Sequence, residues 1–148
     1  MKRMRGHVVA LVVLASVTLA AGAAPALTSA SAWRATPPLV LVRSLSTLDA
    51  SGHVRHVFRP GTQIKLRVQW TVRGAPPQSR QSVTWAVVYA GKETLRVTKT
   101  SPARNGNWSR ITVATITRLP NIGTHTFSAR ISVAGVSATG SVPFIVQG

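Results

Sequence analysis

The side chains that could do chemistry are few, and their spacing narrows what they could do. Asp49 and Glu93 are the only carboxylates in 148 residues. Paired acids are the minimum for glycosidase chemistry, and these two fall in turn-forming contexts. Asp49 opens Asp49-Ala50-Ser51-Gly52, where a short acid stabilises a turn. Glu93 follows Gly91-Lys92 and reads as hairpin surface. His53 and His56 have H-x-x-H spacing, which on a strand sends the two rings to opposite faces. Arg55 and Arg59 beside them would repel a cation, and the chain has no cysteine to complete a ligand set. They read as solvated loop histidines. His125 stands alone and reads as structural or exposed. No G-x-S-x-G elbow, P-loop or G-x-G-x-x-G occurs. The residues therefore assign no catalytic site, no metal and no cofactor.

Cations are what the chain has in excess. Eighteen Lys and Arg against two acids give a formal charge of +16. Three of the cations precede residue 8, so residues 33–148 carry fifteen against two acids, or +13. A field of that size draws polyanions such as nucleic acid, wall phosphate polymers or anionic lipid headgroups. Twelve of the fifteen are Arg, which a GC-rich genome would also produce. The outward positions Lys65, Arg67 and Arg73 of one expected strand and Arg130 of another are the nearest thing to an anion-binding surface. Nucleic acid is the weaker partner, because the aromatic interleaving of a single-strand binder is missing.

These residues are positioned by two kinds of segment. Residues 1–32 read as a secretory signal peptide: Lys2, Arg3 and Arg5 precede an apolar run over 8–21, and Ala30-Ser31-Ala32 is an A-x-A cleavage pattern. A membrane-spanning helix needs about 20 residues, so the run is short for one. The mature start is placed at Trp33, in a secreted or envelope-associated protein. An uncleaved signal segment is the alternative, and the one route to membrane attachment.

Residues 33–38 read as a flexible lead-in, with Pro37-Pro38 forbidding helix. From residue 39 the hydrophobic period is two. Ile64, Leu66, Val68, Trp70 and Val72 alternate with Lys65, Arg67, Gln69, Thr71 and Arg73, the mark of a half-buried strand. Phe127, Ala129, Ile131 and Val133 repeat the pattern inward. Further strands are expected at 39–42, 54–58 as a short edge, 83–89 as a central strand, 95–98, 108–117 and 142–146. Pro143 confines the last to an edge or bulge, because it lacks the ladder N–H. Trp70 and Trp85 read as core. Trp108, after the Asn105-Gly106 turn, reads as core or edge packing, with stacking on a sugar or base as the alternative. About seven short strands at regular spacing indicate an all-β, two-sheet sandwich over residues 39–148, with a closed barrel as the rival.

Phe58-Arg59-Pro60-Gly61-Thr62 before an alternating strand resembles the F-x-P-G lead into the second strand of bacterial extracellular immunoglobulin-like domains. Gly123-Thr124-His125-Thr126-Phe127, Gly135 and the closing Val142-Pro143-Phe144-Ile145-Val146 resemble the G-x-Y-x-F … G … F-x-V ending of the same group. His125 stands where many of that group carry Tyr, so the resemblance does not supply a tyrosine-corner hydrogen bond. It implies an immunoglobulin-like sandwich in an exported setting, with the strands of Lys65 and Arg130 in different sheets. The expectation is a non-catalytic, secreted or envelope-associated binding or structural accessory module. Its partner would be an anionic envelope polymer or another envelope protein. A basic anionic-polymer binder is the alternative.

Overall fold

The computed structural model describes residues 36–115 and 121–148. The expected signal peptide (residues 1–32), residues 33–35 of the expected lead-in, and positions 116–117 of the expected sixth strand lie outside them. Eight strands run in order: β1 (Leu39–Leu48), β2 (Val57–Phe58), β3 (Gln63–Arg73), β4 (Arg80–Tyr89), β5 (Lys92–Pro102), β6 (Gly106–Thr115), β7 (Gly123–Val133) and β8 (Val136–Val146). No helix occurs among the described residues. The strands form a three-stranded sheet, β1-β3-β6, and a five-stranded sheet, β2-β8-β7-β4-β5. This is the two-sheet sandwich that the alternation called for, with the immunoglobulin-like character that the resemblance implied, and not a closed barrel.

The tight hairpin turns run through left-handed backbone. The β7–β8 hairpin closes on Ala134 and Gly135, both at positive φ, and the β4–β5 hairpin on Ala90 and Gly91 in the same state. Glycine tolerates that left-handed geometry without a Cβ penalty. Pro143 sits on β8 opposite Thr126. The amides of Ile145 on β8 and of Gln147 just past it donate outward to the carbonyls of His56 and Phe58. Pro143 shares their parity, so its missing N–H falls on the outer edge beyond the two-residue β2.

The core lies between the sheets. From β3 come Ile64, Leu66, Val68, Trp70 and Val72, and from β4 Val83, Trp85 and Val87. Phe127, Ala129, Ile131 and Val133 of β7, Phe144 and Val146 of β8, Val40 of β1 and Phe58 of β2 complete it. Leu48 is also buried, but outside this cluster: it lies opposite Lys65 and is bridged by Val54 of the β1–β2 loop.

At one side, β1 packs over β8 through Gly140. A Cβ there would stand 2.7 Å from Leu45 Cδ1 and 3.0 Å from Val42 Cγ1. Gly140 thus sets how closely the two sheets meet. Gly140→Val is expected to cost about 1–3 kcal/mol of stability by overpacking, read as a lower urea midpoint. An unchanged midpoint would show that β1 can move away freely.

Candidate functional site

The outer face of the three-stranded sheet gathers most of the expected cations. Lys65, Arg67 and Arg73 share one face of β3, as expected, because positions two apart point the same way. A β-bulge between Val42 and Ser44 adds Arg43 from β1. Its Nε donates to Thr71 Oγ1 at 3.2 Å, and the Thr71 hydroxyl donates to Asn107 Oδ1 on β6 at 2.7 Å. The extra residue re-aims the arginine, as bulges do. Lys65 Nζ donates to the Ala50 carbonyl at 2.7 Å. Arg67 lies along the sheet toward Ser46 Oγ, 3.4 Å away.

Arg130 is not part of this row. It projects from β7 on the outer face of the five-stranded sheet, where Nη2 donates to Ser137 Oγ at 3.2 Å. The hollow around it, about 470 Å³, is lined by hydroxyls of Thr84, Ser128, Ser132 and Thr139 together with Glu93 and Arg96. The four expected anion-binding residues therefore divide three to one between opposite faces. Arg43 and Arg96 join them, one on each face, and no alternation pattern pointed to either.

Both carboxylates are engaged by arginines. Asp49 Oδ2 accepts from Arg55 Nε at 2.9 Å, and Oδ1 accepts from the His53 backbone N–H at 3.0 Å. Glu93 forms a fork with Arg96, both contacts at 2.7 Å. The His53 amide first, then the Arg55 guanidinium, hold the Asp49 carboxyl below its ordinary value, and Arg96 does the same for Glu93. A general acid at neutral pH needs the opposite displacement. Because its folded value is lowered, the stability contributed by Asp49 is present above the unfolded value near 3.8 and is lost as pH falls through the folded one. Asp49→Asn is thus expected to flatten the acid limb of a thermal-stability profile. Identical acid sensitivity in the variant and the natural chain would count against this.

The histidines separate by environment. His53 and His56 are exposed loop residues, and His53 Nδ1 lies 3.7 Å from Asp49 Oδ1. Among the described residues no three His, Cys, Asp or Glu side chains converge as a metal would require. His125 is fully buried. Its ring packs at 4.7 Å from Tyr89 and 5.2 Å from Phe144, its cross-strand neighbours. Its Nε2–H donates to the Asn121 carbonyl at 3.0 Å. That is the job of a tyrosine-corner hydroxyl, done here by an imidazole.

The sixth strand holds what periodicity did not reveal. Its pairing with β3 sets Trp108 opposite Trp70, Arg110 opposite Val68 and Thr112 opposite Leu66. The even-numbered residues therefore face between the sheets, and Ile111 and Val113 are left exposed beside Arg67 and Lys65. Trp108 is half-buried against the core, with its indole N–H on the Arg104 carbonyl at 2.8 Å.

No protein-family model matches the sequence, and no curated protein matches it. Solved structures do. The CARDB domain of a Pyrococcus furiosus protein, crystallised in complex with di-metal ions, is 14% identical, with a TM-score of 0.50 over 74% of this chain and 89% of that one. The Pseudomonas fluorescens alkylpurine DNA glycosylase AlkC, bound to DNA with an abasic-site analogue, is 16% identical, with a TM-score of 0.48 over 74% of this chain and 30% of that one. The Bacillus subtilis sporulation control protein Spo0M is 13% identical, with a TM-score of 0.46 over 70% of this chain and 49% of that one. At such identities the first of these supports the immunoglobulin-like sandwich fold and nothing beyond it.

Proposed function

We propose that this immunoglobulin-like sandwich is a non-catalytic binding or structural accessory module, secreted or associated with the cell envelope. The observation that carries it is the state of the two carboxylates. Each is fixed by an arginine at the surface of the sandwich and held below its ordinary pKa. What remains for function is surface: strand faces rich in arginine and hydroxyls. The leader-like residues 1–32 support delivery outside the cytoplasm. An anionic envelope polymer or another envelope protein is the partner such a surface suits. A general anionic-polymer binder ranks behind this reading, because the cations are divided between two faces. The metal ions of the P. furiosus domain are not carried over, since no ligand cluster converges here among the described residues.

Expressed with its leader in a bacterial host, the chain is expected in the envelope or medium fractions, with Trp33 as its first residue by mass spectrometry. Recovery of the full-length chain from the cytosol alone would overturn the reading.

A further inference from the structure

Between the sheets, where β5 and β6 diverge, lies a cavity of about 220 Å³. Four strands supply it: Trp70 from β3, Gln81 from β4, Ser101 from β5, and Trp108 and Arg110 from β6, with Arg104 beside them on the β5–β6 loop. Strand β6 creates this place by turning its polar side inward, against the pattern of its own apolar residues. A polar group placed where packing calls for an apolar one is a local inconsistency of the kind that functional sites show.

Two residues of its wall carry polar atoms that are sealed in the core without partners. Trp70 is 1% exposed and its indole Nε1–H is unpaired; Gln81 is 4% exposed and its Oε1 is unpaired. Such groups cost about 1–3 kcal/mol each when left unmet. The other polar atoms are fixed but not used up. Ser101 Oγ accepts from Gln81 Nε2 at 3.3 Å and from Arg110 Nη2 at 3.1 Å. Its own O–H and the remaining Arg110 N–H groups stay free to donate. The indole of Trp108 is anchored through the Arg104 carbonyl.

The reachable inventory is therefore the Ser101 hydroxyl, two cationic donors and the faces of two indoles. A matching ligand is an anion that also carries hydroxyls and an apolar ring face. At about 220 Å³ and open to solvent on one side, the cavity suits one sugar ring. We propose that this cavity binds a single acidic sugar residue of the uronic-acid class. Arg110, with Arg104 at the rim, meets the carboxylate; the Ser101 hydroxyl donates to a sugar hydroxyl; the ring lies against Trp108. This deepens the binding reading above by naming its ligand chemistry.

Two of the chain's indoles line the cavity, so binding is read by tryptophan fluorescence and by amide shifts in NMR titrations of the mature domain. The probes are D-glucuronate, polygalacturonate and, as the neutral control, D-glucose. Glucuronate or the polymer is expected to perturb Trp70 and Trp108, with glucose at least about tenfold weaker. Arg110→Gln keeps a donor for Ser101 and is expected to weaken binding about tenfold or more. Arg104→Gln, an exposed rim change that keeps the backbone carbonyl holding Trp108, is expected to weaken it less. A response to glucuronate assigns the site to a free sugar acid. A response to the polymer alone, lost in Arg110→Gln, assigns it to a residue of a polyuronate. Equal response to glucose and glucuronate, no response to any probe, or unchanged binding in both arginine variants would overturn the proposal. Localisation is measured separately, so failure here leaves the module reading standing on its own test.

Discussion

Trp85→Ala is expected to lower the unfolding free energy by about 3–5 kcal/mol. Whole domains of this size are stable by only about 5–15 kcal/mol, so the variant should be populated largely unfolded under mild stress. Trp85 is 1% exposed on a central strand, between Ala129 of β7 and Val97 of β5. Ladders on both sides hold its backbone, and its β7 neighbour is only a methyl group, so the cavity left behind cannot close. No disulfide exists to limit the damage. Trp85→Phe separates two contributions. The indole N–H is buried without a partner, and its removal recovers part of what the smaller ring loses. Phenylalanine should therefore cost clearly less than alanine. Urea unfolding followed by circular dichroism measures both; a loss under about 1 kcal/mol for Trp85→Ala would show that the sheets close over the gap.

His125→Ala follows, at about 2–4 kcal/mol, combining a lost buried ring with an orphaned Asn121 carbonyl. The ring sits mid-row between Tyr89 and Phe144, and Phe144 meets Phe58 edge-on at 6.0 Å. Removing it breaks an aromatic row that crosses from β4 through β7 and β8 to β2. His125→Phe keeps the stack, gives up the hydrogen bond and removes an unpartnered Nδ1. It should stay within about 1.5 kcal/mol of the natural chain. If thermal unfolding instead finds phenylalanine as damaging as alanine, the bond to Asn121 matters more than the stack.

Strands β3 and β7 were legible because each has one apolar and one polar face, and a buried side admits only one register. The sandwich and its turns follow from them. The sixth strand was not legible in the same way. Its own apolar residues, Ile111 and Val113, mark one face as inward, but pairing with β3 puts Trp108 beside Trp70 and turns the other face in. A register set by a neighbouring strand leaves no trace in local periodicity. Arg43 escaped notice for a related reason: a single extra residue in β1 shifts its direction, and nothing in Val42-Arg43-Ser44 announces a bulge. Alternation gave the shared face of Lys65, Arg67 and Arg73 along β3 but not the sheet of Arg130; that β7 lies in the other sheet was an expectation of the immunoglobulin-like resemblance alone. His125 could be read only as structural or exposed; its burial depends on Tyr89 and Phe144, far away in sequence.

The hollow at one end of the sandwich is lined by Asp49 and Ala50, just past β1, and by Gln147 and Gly148, just past β8. Strands β1 and β8 therefore finish at the same end, and β1 begins at the other, about ten residues or ~33 Å away. Tension applied between the start of β1 and the end of β8 would run along the strands. The β1–β3 ladder, nine register pairs long, would then be strained sideways across all its rungs together rather than peeled one rung at a time. A module strung in series between two anchors would resist stretching through that sheet, with the short β2–β8 pairing yielding first.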